Sequence, residues 1–231
     1  HYGLGAYYPM MAMKEGMIGF SFANAPALVA PFGGADPLLG TNPISIAIPA
    51  EKHPNLVLDI ATSVAAKGFI ALAMKEGRDI PLGWALDENG APTTDAAAAN
   101  KGVLLPFGAH KGYAFELIVS ILSYALSGSD MDVDIPRFFE CTDKMTNVGY
   151  FMGCIDISKY CSLDDFKKRV DALFDVIKAC RPAVGSKGVL IPGEIEDNKT
   201  KLALEEGIDL SEATLNDFKE MAKTFGVEYT F

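Results

Sequence analysis

His110 and Lys111 stand together in LPFGAHKGY, where a loop runs into the apolar stretch FELIVSILSYALSG. A helix start offers unpaired N–H groups and the positive end of the helix dipole, so it favours an anion, and a lysine adds a full charge. A carboxylate or phosphate ligand fits this pair, and so does a solvated lysine beside a capping histidine. Asp59 closes the apolar run LVLDIATS. An acid at the end of a buried strand costs free energy unless it is paired or hydrogen-bonded. Its partner is a ribose, a catalytic histidine or the amides of the following helix, and the last asks least of the chain. Thr62 and Ser63 are candidate caps for that helix.

The loop PFGGADPLLGTNP offers Gly33, Gly34 and Gly40 for close backbone approach, with Thr41 and Asn42 as polar contacts for a substrate. The same residues also suit a rigid connector. Asn24 follows an apolar strand as a ligand contact or a turn former, and Glu116 lies in an otherwise apolar helix, bonded to a hydroxyl or lining a polar site. Several familiar signatures are missing. GLGAYY has only the first two glycines of a dinucleotide fingerprint and no strand before it, which argues against a Rossmann domain. GAHKGY has the wrong spacing for a phosphate loop, and neither a nucleophile elbow nor HExxH occurs.

The elements that must position these residues follow from periodicity. A helix over residues 4 to 15 ends at Gly16 and feeds the strand MIGFSFA; ISIAIP and LVLDIA are further strands, and TSVAAKGFIALAMKEG continues as a helix. IPLGWALDENGAPTTD is irregular, with an Asn-Gly turn and a packing Trp84. The run after Lys111 is apolar nearly all round and therefore reads as a helix inside the protein. GYFMGCIDI is a strand, and SLDDFKKRVDALFDVIKAC a helix capped by Ser162. A short strand around GVLIP, a Pro-Gly turn and two amphipathic helices complete a mixed α/β pattern.

Length and composition set the outer bounds. The 231 residues suffice for one sizeable core, and 49% hydrophobic with 22% charged residues is a globular composition. A formal net charge of -10 argues against nucleic acid or an anionic membrane as partner. No apolar run reaches the ~18 residues that span a bilayer. The four cysteines form no CxxC or zinc spacing, which suggests reduced, mostly buried thiols in a cytoplasmic protein, and no signal peptide is visible.

HYGLGAYY, FANAPALVAPFGGADPLLGTNPI, LVLDIATS, IPLGWALDENGAPTTD, LPFGAHKGY and LIPGE, in this order, resemble the type 2 malate/L-lactate dehydrogenase family over essentially the whole chain. The resemblance implies a non-Rossmann α/β fold with a mixed, largely antiparallel sheet and flanking helices. It also implies a homodimer, with NAD or NADP held by dispersed loops and a small 2-hydroxy or 2-oxo acid as substrate. Carried over residue by residue, the cofactor contacts are Asn24 and Ala25, then Asp59, Ile60 and Ala61, then His110 and Lys111, then Pro192, Gly193 and Glu194. His1 resembles the position described as proton acceptor in ureidoglycolate dehydrogenase.

The chain departs from the family at two kinds of place. Members carry a further N-terminal region, on the order of a hundred residues, with a Ser-His-Gly motif that this sequence lacks. The expectation is one NAD(P)-binding and catalytic region over 1–231, N-terminally truncated, with 187–231 a strand and helices packing back on the core. Ala109 and Ala114 stand where glycine is common, which costs little if the local φ is negative. Two further readings compete with the dehydrogenase: an inactive remnant that folds and binds nucleotide without turnover, and a simple anion-binding module built on His110 and Lys111.

Overall fold

The computed structural model describes residues 2–137, 143 and 145–230. Helix α1 (Tyr7–Lys14) turns through Gly16, at a φ of 74° that favours glycine, into strand β1 (Met17–Ala23). Along β1 the small residues Gly19, Ser21 and Ala23 are buried. A methyl added at Gly19 would lie 2.3 Å from the Pro9 carbonyl oxygen, so α1 rests directly on the strand. The opposite face carries Phe20 and Phe22, which stack on Phe151 at ring separations of 5.8 and 6.0 Å.

Strands β2 (Ile44–Ile48) and β3 (Leu56–Ile60) follow, and later β6 (Tyr150–Asp156) joins them in a four-stranded sheet of order β3-β2-β1-β6, antiparallel throughout. The expected mixed α/β class with an antiparallel sheet is therefore observed. β3, however, is an edge strand and not a buried one, and its last two residues, Asp59 and Ile60, are exposed.

Helix α2 (Lys67–Lys75) begins later than its apolar pattern suggests, with Ala66 at its N-cap. Thr62 and Ser63 cap nothing: the Thr62 hydroxyl donates to the Thr41 and Asn42 carbonyl oxygens and that of Ser63 to Ala65. Strands β4 (Ala85–Leu86) and β5 (Val103–Leu104) pair across helix α3 (Ala96–Lys101), capped by Asp95. Val29, Ile70, Ala85, Ala99 and Leu104 form a core beneath them, with Trp84 packed against it as expected.

Helix α4 (His110–Ser120) continues as a π-helical turn over Ile121–Ala125. It is not the enveloped helix its composition suggests. Gly112, Glu116, Val119 and Ser123 are buried, while Phe115, Ile118 and Ile121 are 50%, 50% and 58% exposed. Glu116 and Ser123 thus face inward beside Val119, while Phe115, Ile118 and Ile121 face outward.

Helix α5 (Leu163–Lys178) starts at Ser162, whose hydroxyl accepts the Asp165 amide at 3.1 Å. From α5 the buried Asp171 accepts the amides of Glu51, Lys52 and His53 at 3.4, 3.0 and 3.2 Å, which fixes the turn leading into β3. Residues 188–191 carry no strand. The chain divides into two compact units, one up to Gly193 and one from Glu194 onward. The second consists of α6 (Glu194–Glu206) and α7 (Glu212–Phe225), the latter capped by Ser211 and ended by Gly226 at a φ of 64°. Among the described residues no helix is long and apolar enough to cross a membrane. Cys154 and Cys180 are exposed, contrary to the expectation of buried thiols, and Cys141 lies outside the described residues.

Candidate active site

Three loop segments lie side by side and bring distant residues together. The Thr62 amide donates to the Thr41 carbonyl at 2.9 Å, the Phe107 amide to Thr62 at 2.9 Å and the Val64 amide to Leu105 at 2.8 Å. The segment leaving β3 through Asp59, Ile60 and Ala61 is thereby laid between the Thr41–Asn42 loop and the approach to α4. That approach delivers His110 and Lys111 at the first turn of an eleven-residue helix, both exposed, with the His110 and Phe32 rings edge to face at a centroid separation of 5.8 Å.

Asp59 is anchored differently from the expectation. Its carboxylate accepts the Ser45 hydroxyl at 2.6 Å and the Ala6 amide at 2.9 Å, and it accepts nothing from α2. The residues around Gly5 therefore sit on the sheet edge: a methyl on Gly5 would lie 2.5 Å from the Ser45 oxygen and 2.8 Å from an Asp59 oxygen. Tyr2 is stacked on Tyr8 at 5.3 Å and tilted against Tyr150 at 5.1 Å, and its hydroxyl accepts that of Ser21 at 3.2 Å. Burial raises the Tyr2 phenol above its usual value, and the Asp59 charge adds to this against the pull of the Ser21 and Ser45 hydroxyls. His1 lies outside the described residues.

Pro192 and Gly193 lie on the same edge, since the Val57 amide donates to the Pro192 carbonyl at 2.9 Å, two residues along β3 from Asp59. Gly193, at a φ of 93°, has no room for a side chain, because an added methyl would sit 2.9 Å from Val57 Cβ. Glu194 opens α6 in the second unit.

Asn24, Ala25 and Asn42 belong to a buried polar knot centred on Asp132. The Asp132 carboxylate accepts Asn24 Nδ2 at 3.1 Å, Asn42 Nδ2 at 2.9 Å, the Gly40 amide at 2.9 Å and the Ser120 hydroxyl at 3.0 Å. Asn24 Oδ1 accepts the Gly149 amide at 2.8 Å, and Asn42 Oδ1 the Ala25 amide at 3.0 Å. Both asparagine side chains are thus engaged inside the protein, as are the Asn24 and Ala25 amides and the Asn42 carbonyl oxygen. Asn42 holds a φ of 24°, a conformation asparagine tolerates better than most residues.

Asp132, Ser120, Ser45 and Tyr2 were not singled out by sequence reasoning. A polar series at 116, 120 and 123 within an apolar helix was the available signal for the knot. Beside it Glu116 is wholly buried with no hydrogen-bond partner for either oxygen among the described residues. Burial pushes its pKa up to about 8, with the Thr62 hydroxyl drawing it down and the Asp132 charge adding to the rise.

The approach to α4 is strained. Ala109 holds a φ of 57° directly after Gly108 at 56°, so the alanine occupies a backbone shape that favours glycine. The negative φ on which its tolerance depended is not what the chain adopts. Ala114, by contrast, lies within α4.

An antiparallel sheet with an anion-favouring helix start and an exposed carboxylate on separate loops defines an α/β protein whose candidate cofactor site owes nothing to a strand-glycine-helix fingerprint. The family model for malate/L-lactate dehydrogenase matches residues 1–219, and the chain belongs to that family. It is 37% identical over its whole length to a malate/(S)-sulfolactate dehydrogenase of Methanothermus fervidus, covering 66% of that protein. A (2R)-3-sulfolactate dehydrogenase (NADP(+)) of Chromohalobacter salexigens is 34% identical over 96% of this chain and 64% of its own length. A ureidoglycolate dehydrogenase (NAD(+)) of Escherichia coli K12 is 33% identical over 91% of this chain and 60% of its own. The solved sulfolactate dehydrogenase of Methanocaldococcus jannaschii superposes with a TM-score of 0.90 at 36% identity, over 99% of this chain and 65% of that one. The chain thus spans slightly under two thirds of the length of these curated relatives.

Proposed function

We propose that this protein is an NAD(P)-dependent oxidoreductase that moves a hydride between a nicotinamide and a small 2-hydroxy or 2-oxo acid. The observation that carries the reading is the family match across residues 1–219, whose relatives are named for malate, sulfolactate and ureidoglycolate. The residues present suit a dinucleotide. Lys111 and the first turn of α4 attract its anionic groups, and exposed Asp59 retains lone pairs for hydroxyl donors. Ile60 and Ala61 lie at the end of the edge strand and on the segment leaving it, with Pro192 and Gly193 against the same strand, where their backbone can line a bound cofactor. Asn24, Ala25 and Asn42 shape the loop from behind, while the Thr41 hydroxyl is available to the substrate.

When bound, the nicotinamide supplies or accepts the hydride. The protein must then take up or give the hydroxyl proton of the substrate, a task that suits a histidine near neutrality. The resemblance assigns it to His1. Its neighbour in sequence, Tyr2, packs against Tyr8 and Tyr150 and accepts the Ser21 hydroxyl. We also infer a homodimer, for which the exposed Phe115, Ile118 and Ile121 offer an apolar surface; sedimentation at micromolar concentration checks it, a monomer counting against it.

The test is absorbance of NADH or NADPH mixed with the chain and pyruvate, oxaloacetate or related 2-oxo acids. Steady oxidation is expected, and His1→Ala should slow it about 10²- to 10⁴-fold. Nucleotide binding with no oxidation by any acid would favour the inactive remnant.

A further inference from the structure

Ser21, Ser45 and Asp59 form one row across three strands, because Ser21 is the cross-strand partner of Ser45 between β1 and β2, and Ser45 that of Asp59 between β2 and β3. They share one face of the sheet. Gly19, Ala23 and Ala47 lie on the same face of β1 and β2 and bring no polar side-chain atom to it. Packing alone therefore asks for no hydroxyl at Ser45, which is wholly buried. A buried hydroxyl costs free energy unless it is hydrogen-bonded.

The partner of Ser45 is the Asp59 carboxylate. Ser45 Oγ donates to Oδ1 at 2.6 Å, as short as hydroxyl bonds to charged acceptors run, and the Ala6 amide donates to Oδ2 at 2.9 Å. Asp59 itself is exposed at the end of an edge strand, where an unheld acid side chain samples several staggered rotamers. Two donors, one from β2 and one from the start of α1, select among them. Each carboxylate oxygen still has a lone pair to offer a ligand.

Gly5 shows how closely this group is fitted. A methyl built there would lie 2.5 Å from Ser45 Oγ, 2.8 Å from Asp59 Oδ1 and 3.1 Å from the Tyr2 hydroxyl, so oxygens of three residues converge over one Cα. Gly5 is not in the left-handed region, so contact and not backbone shape excludes a side chain.

We propose that Ser45 is a positioning residue of the cofactor site: its buried hydroxyl sets the direction in which the Asp59 carboxylate accepts a hydroxyl donor of the nucleotide. The inference rests on the dehydrogenase reading, in which Asp59 is a cofactor contact, and deepens it by naming what holds that contact. Ser45 is too deeply buried to touch a ligand. It acts only through Asp59.

NADH binding to the full chain, followed by nucleotide fluorescence at pH 7, tests this in a double-mutant cycle. Ser45→Ala should raise the dissociation constant about three- to tenfold, and Asp59→Ala about ten- to a hundredfold, the loss of a hydrogen bond to a charged group. In the Asp59→Ala background, Ser45→Ala should change the constant by less than about twofold, since nothing is left to position. A hydroxyl that serves only the sheet would weaken binding equally in both backgrounds, and that outcome overturns the proposal. Gly5→Ala crowds Ser45 and Asp59 without removing a polar group and should weaken binding as Ser45→Ala does. Wild-type binding by Gly5→Ala shows that the direction of the carboxylate is immaterial and overturns the proposal as well.

If no nucleotide binds to the wild type, the dehydrogenase reading fails, and NMR of the Ala6 amide still decides about Ser45. That proton is bonded to the held carboxylate, so in Ser45→Ala its resonance should move and its exchange with solvent quicken by about three- to tenfold. An Ala6 amide unchanged from wild type shows Asp59 held without Ser45 and overturns the assignment.

Discussion

Asp132 and Glu116 are both buried carboxyl groups of one polar region, yet they reconcile themselves to burial in opposite ways. Asp132 collects four donors from four separate residues, whereas Glu116 has none among the described residues and keeps its proton to a pKa of about 8. A carboxyl group can be buried either by surrounding its charge with N–H and O–H groups or by not being charged. The first arrangement is rigid, because each donor loses a partner if the acid is removed. The second is conditional on pH.

Breaking the first arrangement should cost most. Asp132→Ala orphans the Gly40 amide and takes one acceptor each from the Asn24 and Asn42 amides, which keep the Asp130 carbonyl and the Ser120 hydroxyl, and a loss of about 3–5 kcal/mol is expected in chemical denaturation at pH 7. A loss under about 1 kcal/mol would mean the knot is not what holds these loops. Gly149→Ala approaches the knot from its far side, since the new methyl would fall 1.6 Å from the Ser123 carbonyl oxygen. It should destabilise by about 1–3 kcal/mol unless the backbone moves.

Glu116→Leu should do the opposite of Asp132→Ala at pH 8: unfolding stability unchanged or raised by about 1–2 kcal/mol, because an unpartnered acid gives way to an apolar group. Calorimetry at that pH checks it, and a large loss would show that the acid has partners. The smallest effect belongs to the strained approach to α4. Ala109→Gly relieves a positive φ and should stabilise by about 0.5–1 kcal/mol, read as a shift in urea midpoint.

Much of this scaffold was legible in advance. β1, β2, β3 and β6 follow from alternation and turn residues, and α5 from its Ser162 cap, because local chemistry decides those elements. The two-residue strands β4 and β5 were not legible, since two residues carry no period. Burial along α4 was misjudged for a different reason: a run apolar all round fits a fully enclosed helix and a helix with one open apolar face equally well. Six ordered motifs pointed to Asp59, His110 and Lys111 by resemblance, but they could not reveal that Asn24 and Asn42 spend their side chains on Asp132. That depends on which loops meet, and a polar residue in a loop does not declare its partner.

The bonds of the knot also say something about the order in which the molecule assembles. Asn24 reaches Asp132 across 108 residues and Gly149 across 125, while Gly40 and Asn42 reach Asp132 across 92 and 90. Closing loops of that size is slow, and entropy is lost before any bond is gained. Helices α2 and α5 can form early from contacts close in sequence, but the loops of the candidate site take their final shape only once both ends of that span have met. On the proposed reading, recovery of nucleotide affinity should therefore be among the last events in refolding, trailing the return of helical signal.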